Sequence, residues 1–399
     1  MPAFPIPPVL CYSLGMNKIT SFIKNEPVLF AAGVLGIFSV CVIRPEPLFC
    51  LKAIDFGTIS ILFSLMIVIK AFQSQNYLDF IATRFLSFCK TERSLYFLLT
   101  YLVFFSSMFV TNDVALLTFV PISLLIFSRI NMLSLKLIVL ETLAANLGSC
   151  ITPMGNPQNL YLFSYYNFSA PAFFKLTATI ALPSLFILAL MIFFITKKTN
   201  KPLELNTSEL GPENSLELKF DFRTVLYIID FIICLLAVFH VINYLYMLIF
   251  TVVVMLLCNF RLFKKVDYSL LLTFAFLFIF TKTLSTVSVF SDFINSMLST
   301  PFKSYITAIL SSQVISNVPA ALLLSEFTEN GDMILLGVNV GGLGTLIASM
   351  ASVISFKLYN NSSEAKTAQG KKYFGIFTLY NVILLLVLGV AVYALNYYL

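Results

Sequence analysis

Long apolar segments separated by short polar loops run along almost the whole of this 399-residue chain. Their lengths centre on the ~20 residues that an α-helix needs to cross a bilayer, so the pattern predicts an all-α polytopic membrane protein. One connector alone, at 197–221, is long and polar, and it lies near the midpoint of the chain. The predicted apolar segments cover residues 28–43, 55–72, 95–110, 114–129, 134–168, 172–196, 222–241, 243–260, 267–285, 303–327, 331–358 and 374–397.

The composition agrees with this pattern and excludes other classes of protein. Of the residues, 59% are hydrophobic and 11% are charged, whereas a soluble domain has roughly 25% charged residues. The net charge of +6 comes from Lys and Arg scattered among short loops, which is not the concentrated basic face of a nucleic-acid-binding protein. A single His and Cys residues without CxxC spacing give no metal constellation, and no nucleophile–base set indicates an enzyme.

The basic residues orient the segments by the positive-inside rule. The clusters of basic residues in the loops all face the cytoplasm if the segments 95–129 and 303–327 each return to the side of the membrane from which they enter. The arms of 303–327 are also too short to cross a core of about 30 Å at 1.5 Å per residue, whereas those of 95–129 are borderline. We therefore expect about nine transmembrane crossings and two re-entrant hairpins in the plasma (inner) membrane, with a cytoplasmic N-terminus and an external C-terminus. The basic clusters are Lys18 and Lys24; Arg84, Lys90 and Arg93; Arg129 and Lys136; Lys197, Lys198 and Lys201; Arg261, Lys264 and Lys265; and Lys357, Lys366, Lys371 and Lys372.

Several short sequence motifs recur in the same order in the two halves of the chain, as expected of an inverted-repeat transporter. The same interval separates Asp55 from Lys70 and Asp267 from Lys282. The other matches are the Asp-Phe-Ile stretches 79–81 and 292–294, the polar hairpin tips 111–115 and 316–320, and the Asn-x-Gly-x-x-x-Thr breaks 146–152 and 339–345. The predicted organisation is an N-terminal segment 1–27, a first inverted repeat 28–196, a cytoplasmic linker 197–221, a connecting transmembrane helix 222–242 and a second inverted repeat 243–399.

The two breaks and the two tips form the predicted binding site. Within hydrocarbon, non-helical backbone is tolerated only where it is buried in protein or lines a cavity. An unwound stretch offers carbonyl groups to a cation and a helix N-terminus to an anion. The alternative is that these small polar residues only pack helices together. The predicted substrate- and ion-binding residues are Thr111, Asn112, Asp113, Asn146, Gly148, Ser149, Thr152, Asn156, Asn159, Ser316, Asn317, Val318, Asn339, Gly341, Gly342 and Thr345.

Sodium is the metal ion that suits this site, because hydroxyl, amide and carboxylate oxygens are hard ligands. No cofactor is predicted, and Na⁺ or H⁺ is the expected coupling ion. The possible Na⁺ ligands are Thr111, Asn112, Asp113, Asn146, Ser316, Asn317 and Asn339.

Asp113 is the main candidate for carrying the coupling ion. A carboxylate inside the bilayer costs about 2.5–3.5 kcal/mol on insertion scales, and such residues are functional candidates by default. Burial disfavours the charged form, which suits a proton carrier, whereas a bound Na⁺ would keep the carboxylate ionised. The alternative is a structural role, capping the second hairpin helix. An ionised Asp113 would repel a multiply charged anion.

Four other intramembrane charges carry weaker predictions. Lys70 and Lys282 could draw anions towards the site, but both lie near helix ends, and an extension towards the interface is the expectation that we favour. Glu141 begins the broken helix and is expected to join the first site or to pair with a basic neighbour. Asp230 lies outside the repeats, so a scaffold or oligomer contact is expected.

The motifs at 111–121, 155–159 and 316–321 resemble those of the ion transporter superfamily. The resemblance is to its branch of arsenite permeases, D-type sodium–proton antiporters and citrate-transporter-like anion permeases, and it covers nearly the whole chain. It implies an inverted-repeat fold, often dimeric, in which a transport part moves against a scaffold. In the related sodium–dicarboxylate symporters both tips are Ser-Asn-Thr, whereas here Asp113 and Val318 occupy the third place.

Together these features predict a secondary active transporter that moves a small inorganic or organic anion, coupled to H⁺ or Na⁺, by alternating access. The alternative is a Na⁺/H⁺ antiporter with no anion substrate. A passive anion channel is disfavoured by the near-symmetric binding loops. The expected partners are the anion, membrane lipid and a second copy of the chain, without nucleic acid.

Overall fold

A computed structural model describes residues 26–75, 89–130, 132–197, 202, 221–367 and 370–398. The first Asp-Phe-Ile stretch at 79–81, the basic residues Lys18, Lys24 and Arg84, and most of the linker predicted at 197–221 lie outside the described residues.

Helices account for nearly all of the described residues. They are α1 Pro27–Ile43, α2 Pro47–Ala53, α3 Phe56–Ser74, α4 Glu92–Val110, α5 Asn112–Arg129, α6 Leu135–Ser149, α7 Pro157–Tyr165, α8 Ala170–Thr196, α9 Phe222–Val238, α10 Tyr244–Asn259, α11 Tyr268–Ser285, α12 Ser288–Met297, α13 Pro301–Ile315, α14 Asn317–Ser325, α15 Gly331–Gly341, α16 Met350–Asn360 and α17 Tyr373–Tyr398.

Within the described ranges, seven helices are long and apolar enough to cross a membrane by length and composition: α3, α4, α5, α8 and α11, and α10 and α17 together with the 3₁₀ turns beside them. Their outer surfaces carry large apolar side chains, including Phe186 at 66% and Leu257 at 78% exposure. Side chains this apolar are stable on an outer surface when lipid rather than water covers it. The described residues contain no β-strand, only an isolated bridge between Thr91 and Pro202. The predicted all-helical membrane protein is confirmed.

Two pairs of consecutive helices turn sharply at a single residue. Thr111 joins α4 to α5 with φ 71° and ψ 153°, and Ser316 joins α13 to α14 with φ 74° and ψ 154°. A positive φ is unfavourable for residues other than Gly, so the surrounding structure must hold both joints in place. The caps that begin the two pairs also match: Thr91 has φ −138° and ψ 157°, and Thr300 has φ −138° and ψ 156°. The two joints are therefore built in the same way.

The first interruption within a helical segment lies between α6 and α7, where Pro153–Gly155 form a 3₁₀ turn. Pro153 and Pro157 lack the backbone N–H that a continuous helix requires. Glycine is required on both sides of the interruption. A Cβ atom on Gly148 would lie 2.1 Å from the carbonyl oxygen of Phe104 in α4, and one on Gly155 would lie 2.1 Å from that of Ser149.

The second interruption lies between α15 and α16, where Leu346–Ala348 form a 3₁₀ turn. Gly344 has φ 105°, which other residues rarely adopt. A Cβ atom on Gly341 would lie 2.8 Å from the Ser312 side chain of α13. Each interrupted segment thus packs closely on the first helix of its own sharp pair.

The buried apolar side chains form two clusters. One is centred on α4, α5, α6 and α17, and the other on α3, α7, α9, α11 and α14. Helix α15 contributes to both, through Leu336 and Val340 to the first and through Leu335 and Val338 to the second. The interrupted segments therefore lie where the two cores meet.

Candidate functional site

Asn146, in the last turn of α6, binds the helix that follows the break in the other half of the chain. Its Oδ1 accepts a hydrogen bond of 2.8 Å from Ser349 Oγ. Its Nδ2 donates to Ser352 Oγ at 3.4 Å. Both serines lie at the start of α16, so the side chain ties the end of α6 to a helix N-terminus about 200 residues away.

Asn339, near the end of α15, makes the same contacts with the halves exchanged. Its Oδ1 accepts from Asn156 Nδ2 at 3.3 Å, and its Nδ2 donates to Asn159 Oδ1 at 2.7 Å. Asn156 and Asn159 lie at the start of α7. The interval from Asn146 to Asn156 equals that from Asn339 to Ser349, so the two arrangements correspond residue by residue.

The two sharp helix joints lie against these breaks. Asn112 Nδ2, at the start of α5, donates to Asn146 Oδ1 at 3.5 Å. Ser316 Oγ, at the start of α14, donates to the carbonyl oxygen of Ala348 at 3.4 Å. The N-termini of α5, α7, α14 and α16 therefore converge on one region. Each N-terminus presents backbone N–H groups and a partial positive charge, so the region can bind an anion.

Side-chain amides hold the backbone carbonyls of both breaks. Asn159 Nδ2 donates to the carbonyl oxygens of Ser149, Cys150 and Thr152 at 2.9–3.4 Å. At the second break the amide comes from Gln313 in α13. Its Nε2 donates to the carbonyl oxygens of residues 341 and 343 at 2.7 and 3.0 Å, and its Oε1 accepts from the backbone N–H of residue 345. These carbonyls were expected to be open to a cation; each already accepts one hydrogen bond.

The threonines of the two breaks also correspond. Thr152 Oγ1 donates to the carbonyl oxygen of Met108, and Thr345 Oγ1 donates to that of Gln313 at 3.0 Å. Met108 and Gln313 precede Thr111 and Ser316 by the same interval. The two threonines therefore tie each break to the sharp joint of its own half.

Asp113 lies at the N-terminus of α5 beside a cavity of about 120 Å³. Its Oδ1 is buried and has no hydrogen-bond partner among the described residues. Lys70 of α3, Asp267 before α11, Thr111 and Asn156 supply the other polar groups of the wall, which is otherwise mainly Leu, Ile, Met and Val. The cavity therefore brings a cation and two carboxylates next to the tip of one joint and the start of α7.

The predicted site residues fall into groups. Thr111, Asn112, Asp113, Asn146 and Asn156 converge on the first tip and its cavity, and Ser149 joins them because its Oγ accepts from Asn156 Nδ2 at 3.2 Å. Ser316, Asn317, Asn339, Gly342 and Asn159 gather at the second tip and break, where a Cβ on Gly342 would lie 3.0 Å from Asn317 Nδ2. Gly148 and Gly341 allow close packing between helices, and Val318 is buried in the second apolar cluster. Thr152 and Thr345 donate hydrogen bonds to the backbone carbonyl oxygens of Met108 and Gln313.

The other intramembrane charges lie apart from this network. Glu141 accepts a short hydrogen bond from Ser123 of α5 rather than pairing with a basic neighbour. Asp230 accepts from Thr251 of α10 at 2.7 Å. Lys282 forms an ion pair with Glu326 at 2.6 Å, and its side chain is 41% exposed.

Sequence reasoning missed Gln313, Ser349 and Ser352. The two serines could have been found by counting from Asn339 the intervals that lead from Asn146 to Asn156 and Asn159. Gln313 has no such signal, because Met108 occupies the corresponding place in the first half.

The apolar helices are of the kind that cross a membrane. Their interrupted segments converge on a polar centre beside a cavity, and this combination is typical of a membrane transporter. Residues 22–330 match the family model of the citrate transporters, so the chain belongs to the citrate transporter family. The predicted resemblance to the anion permease branch of the ion transporter superfamily is thereby confirmed.

The chain is also similar to three individual proteins. The chain is 35% identical over 348 residues to an uncharacterized transporter of Methanocaldococcus jannaschii, covering 86% of this chain and 91% of that protein. It is 30% identical over 311 residues to the inner membrane protein YbiR of Escherichia coli, covering 77% and 81%. It is 25% identical over 138 residues to the P protein of Mus musculus, covering 34% and 17%.

Proposed function

We propose that this protein is a secondary active transporter that moves a small anion coupled to H⁺ or Na⁺ by alternating access. The observation that carries the proposal is the reciprocal binding of Asn146 and Asn339 to the helix starts of the opposite half. It gathers four helix N-termini around one centre, which favours an anion. A family described as citrate transporters supports an anion that bears carboxylate groups.

The proposal includes two inverted repeats with nine crossings and two re-entrant hairpins. The matched backbone of Thr111 and Ser316 supports a repeated unit. Helices α13 and α14 have 15 and 9 residues and are too short to cross a core of about 30 Å. Helices α4 and α5 have 19 and 18 residues, so for them the placement rests on the positive-inside rule.

The same rule gives the cavity an orientation. Asp267, at the cavity wall, directly follows the basic turn Phe260–Lys265, which we place in the cytoplasm. The cavity then opens towards the cytoplasm, while Ser316 at the opposite tip is only 3% exposed. We propose that this is an inward-facing state and, from the family resemblance, that the protein works as a homodimer in the plasma (inner) membrane.

A Na⁺/H⁺ antiporter without an anion substrate is the second candidate. One observation favours it: Asp113 Oδ1 is buried at the cavity without a hydrogen-bond partner among the described residues. A carboxylate in this position can exchange a proton for a sodium ion. This exchange would couple the movements of the two cations without any anion.

Flux measurements in proteoliposomes separate the two candidates. Na⁺ and H⁺ gradients would be imposed in turn, with a pH dye inside and citrate, acetate, phosphate or sulfate outside. Gradient-driven uptake of one of these anions is expected. Sodium-dependent proton movement that needs no anion would instead establish the antiporter.

A further inference from the structure

Lys70 and Lys282 hold equivalent places in the two halves but have different partners. Each follows the Asp that caps its own helix, Asp55 or Asp267, by the same interval. Lys282 Nζ lies 2.6 Å from a carboxylate oxygen of Glu326. Lys70 Nζ instead donates to the neutral Gln73 Oε1 at 3.0 Å. Among the described residues, no carboxylate lies within ion-pair distance of Lys70.

The difference originates in the helices that follow the two joints. Glu326 lies at the end of α14, and the residue at the same distance after Thr111 is Pro121 of α5, which carries no charge. Among the described residues, the first half therefore has no counterpart of the carboxylate that neutralises the lysine of the second half. Removing one partner of a charge pair within a low-dielectric region is costly unless another charge compensates for it.

Lys70 lines the cavity that also contains Asp113 and Asp267. Asp267, Lys265 and Asp113 are close enough to interact with it electrostatically. About 10–15 Å³ holds one water molecule, so a cavity of about 120 Å³ has room for a small anion. The ammonium of Lys70 and the N-terminus of α7, at Asn156 and Pro157, both border this space.

We propose that Lys70 is the residue that binds the transported anion, and that the anion carries a single net negative charge. This inference rests on the proposed coupled anion transport. The coupling cation balances Asp113, and the anion balances Lys70, which leaves the charge of Asp267 at the wall. Asp267 at the wall opposes the entry of a multiply charged anion. A monocarboxylate or a singly charged oxyanion such as dihydrogen phosphate satisfies this balance.

Lys70→Gln and Lys282→Gln form a matched pair of variants that tests the inference. Both would be reconstituted as full chains, with labelled citrate, acetate, phosphate and sulfate as probes. For the probe that the wild type accumulates, Lys70→Gln is expected to raise the apparent KM by about tenfold or more, equivalent to about 1.4 kcal/mol. Lys282→Gln is expected to lower the thermal stability while leaving KM within about threefold. Sulfate, which stays doubly charged, is expected to be neither transported nor inhibitory.

An equal KM for Lys70→Gln and the wild type would overturn the inference, as would transport of sulfate or of fully ionised citrate. If Lys70→Gln does not fold, Lys70→Cys can be treated with 2-bromoethylamine, which attaches an aminoethyl group and restores a lysine-like amine. Recovery of anion affinity is expected, with treated wild type as the control; complete modification without recovery would overturn the inference. Failure of the proposed function looks different, because the wild type itself would then accumulate none of the four anions.

Discussion

Asn146 and Asn339 each hold the helix that follows the break in the opposite half. Asn146 accepts from Ser349, and Asn339 accepts from Asn156. Neither half can therefore rearrange its break without breaking a hydrogen bond to the other. The two breaks and the helix starts beyond them form one connected unit, which suits a transport part that moves as a body.

Asn146→Ala and Asn339→Ala are expected to impair transport to a similar degree. Each change leaves buried partners unsatisfied at about 1–3 kcal/mol and loosens both helix starts. Transport rates in proteoliposomes, normalised to reconstituted protein, would measure the effect. Asn381→Ala is the control, since Asn381 is also buried but its amide donates within α17 to Phe377. Loss of transport in one variant alone would contradict the reciprocity.

Asp113→Asn is expected to abolish coupling while preserving the fold. The amide keeps the shape of the side chain but can neither release a proton nor neutralise a sodium ion. Uptake would be measured against pH and Na⁺ concentration in the variant and the wild type. Unchanged pH and Na⁺ dependence would exclude Asp113 as the carrier.

Gln313→Met is expected to destabilise the second break. Methionine is the residue that the first half has at this place, and it cannot donate to the carbonyls of residues 341 and 343. Uncompensated loss of such bonds costs about 1–3 kcal/mol each. Thermal unfolding in detergent would show a lowered transition temperature. An unchanged transition temperature in Gln313→Met would show that these bonds do not support the break.

Gly148→Ala is expected to disrupt the packing of α6 on α4, because its Cβ would lie 2.1 Å from a backbone carbonyl oxygen. Gly375→Ala is the matched control, since a Cβ there meets nothing within 4 Å. Alanine favours a helix over glycine by about 1 kcal/mol, so the control should be neutral or stabilising. Size-exclusion profiles and thermal unfolding would compare them, and a well-folded Gly148→Ala would contradict the close approach.

A cysteine at Ser316 is expected to react with an impermeant thiol reagent from outside only under ion conditions that favour the outward-facing state. In the present structure this side chain is almost fully buried. The measurement requires a background in which the native cysteines are replaced. Constant labelling under every Na⁺, H⁺ and anion condition would argue against alternating access.

Much of the fold could be predicted from the sequence because lipid imposes strict rules on length and composition. The apolar segments predicted at 172–196 and 267–285 differ by one or two residues from Ala170–Thr196 and Tyr268–Ser285. The helix interruptions followed from Pro and Gly inside apolar segments, which conflict with continuous helix. The joints at Thr111 and Ser316 followed from polar residues where a membrane helix would otherwise continue.

The contacts between the halves could not be predicted in the same way. Local pattern shows that Asn146 lies at a break, but not which of many distant hydroxyl groups it binds. In the sequence, Ser349 and Ser352 cannot be distinguished from the small residues that commonly pack membrane helices together. The ion pair of Lys282 depends on Glu326, which is distant in sequence and became its neighbour only through the packing of α14 against α11.

The reciprocal binding also bears on how such a chain could arise. Because the same intervals recur in both halves, two copies of one ancestral half could exchange these bonds as a symmetric pair. In such a symmetric pair both copies would carry the same residue at every position. Once a duplicated gene joined the copies, Asp113 could diverge from Val318, and Lys70 could lose the carboxylate that Lys282 keeps. Within a single chain the two halves can therefore differ at corresponding positions, which a pair of identical halves cannot do.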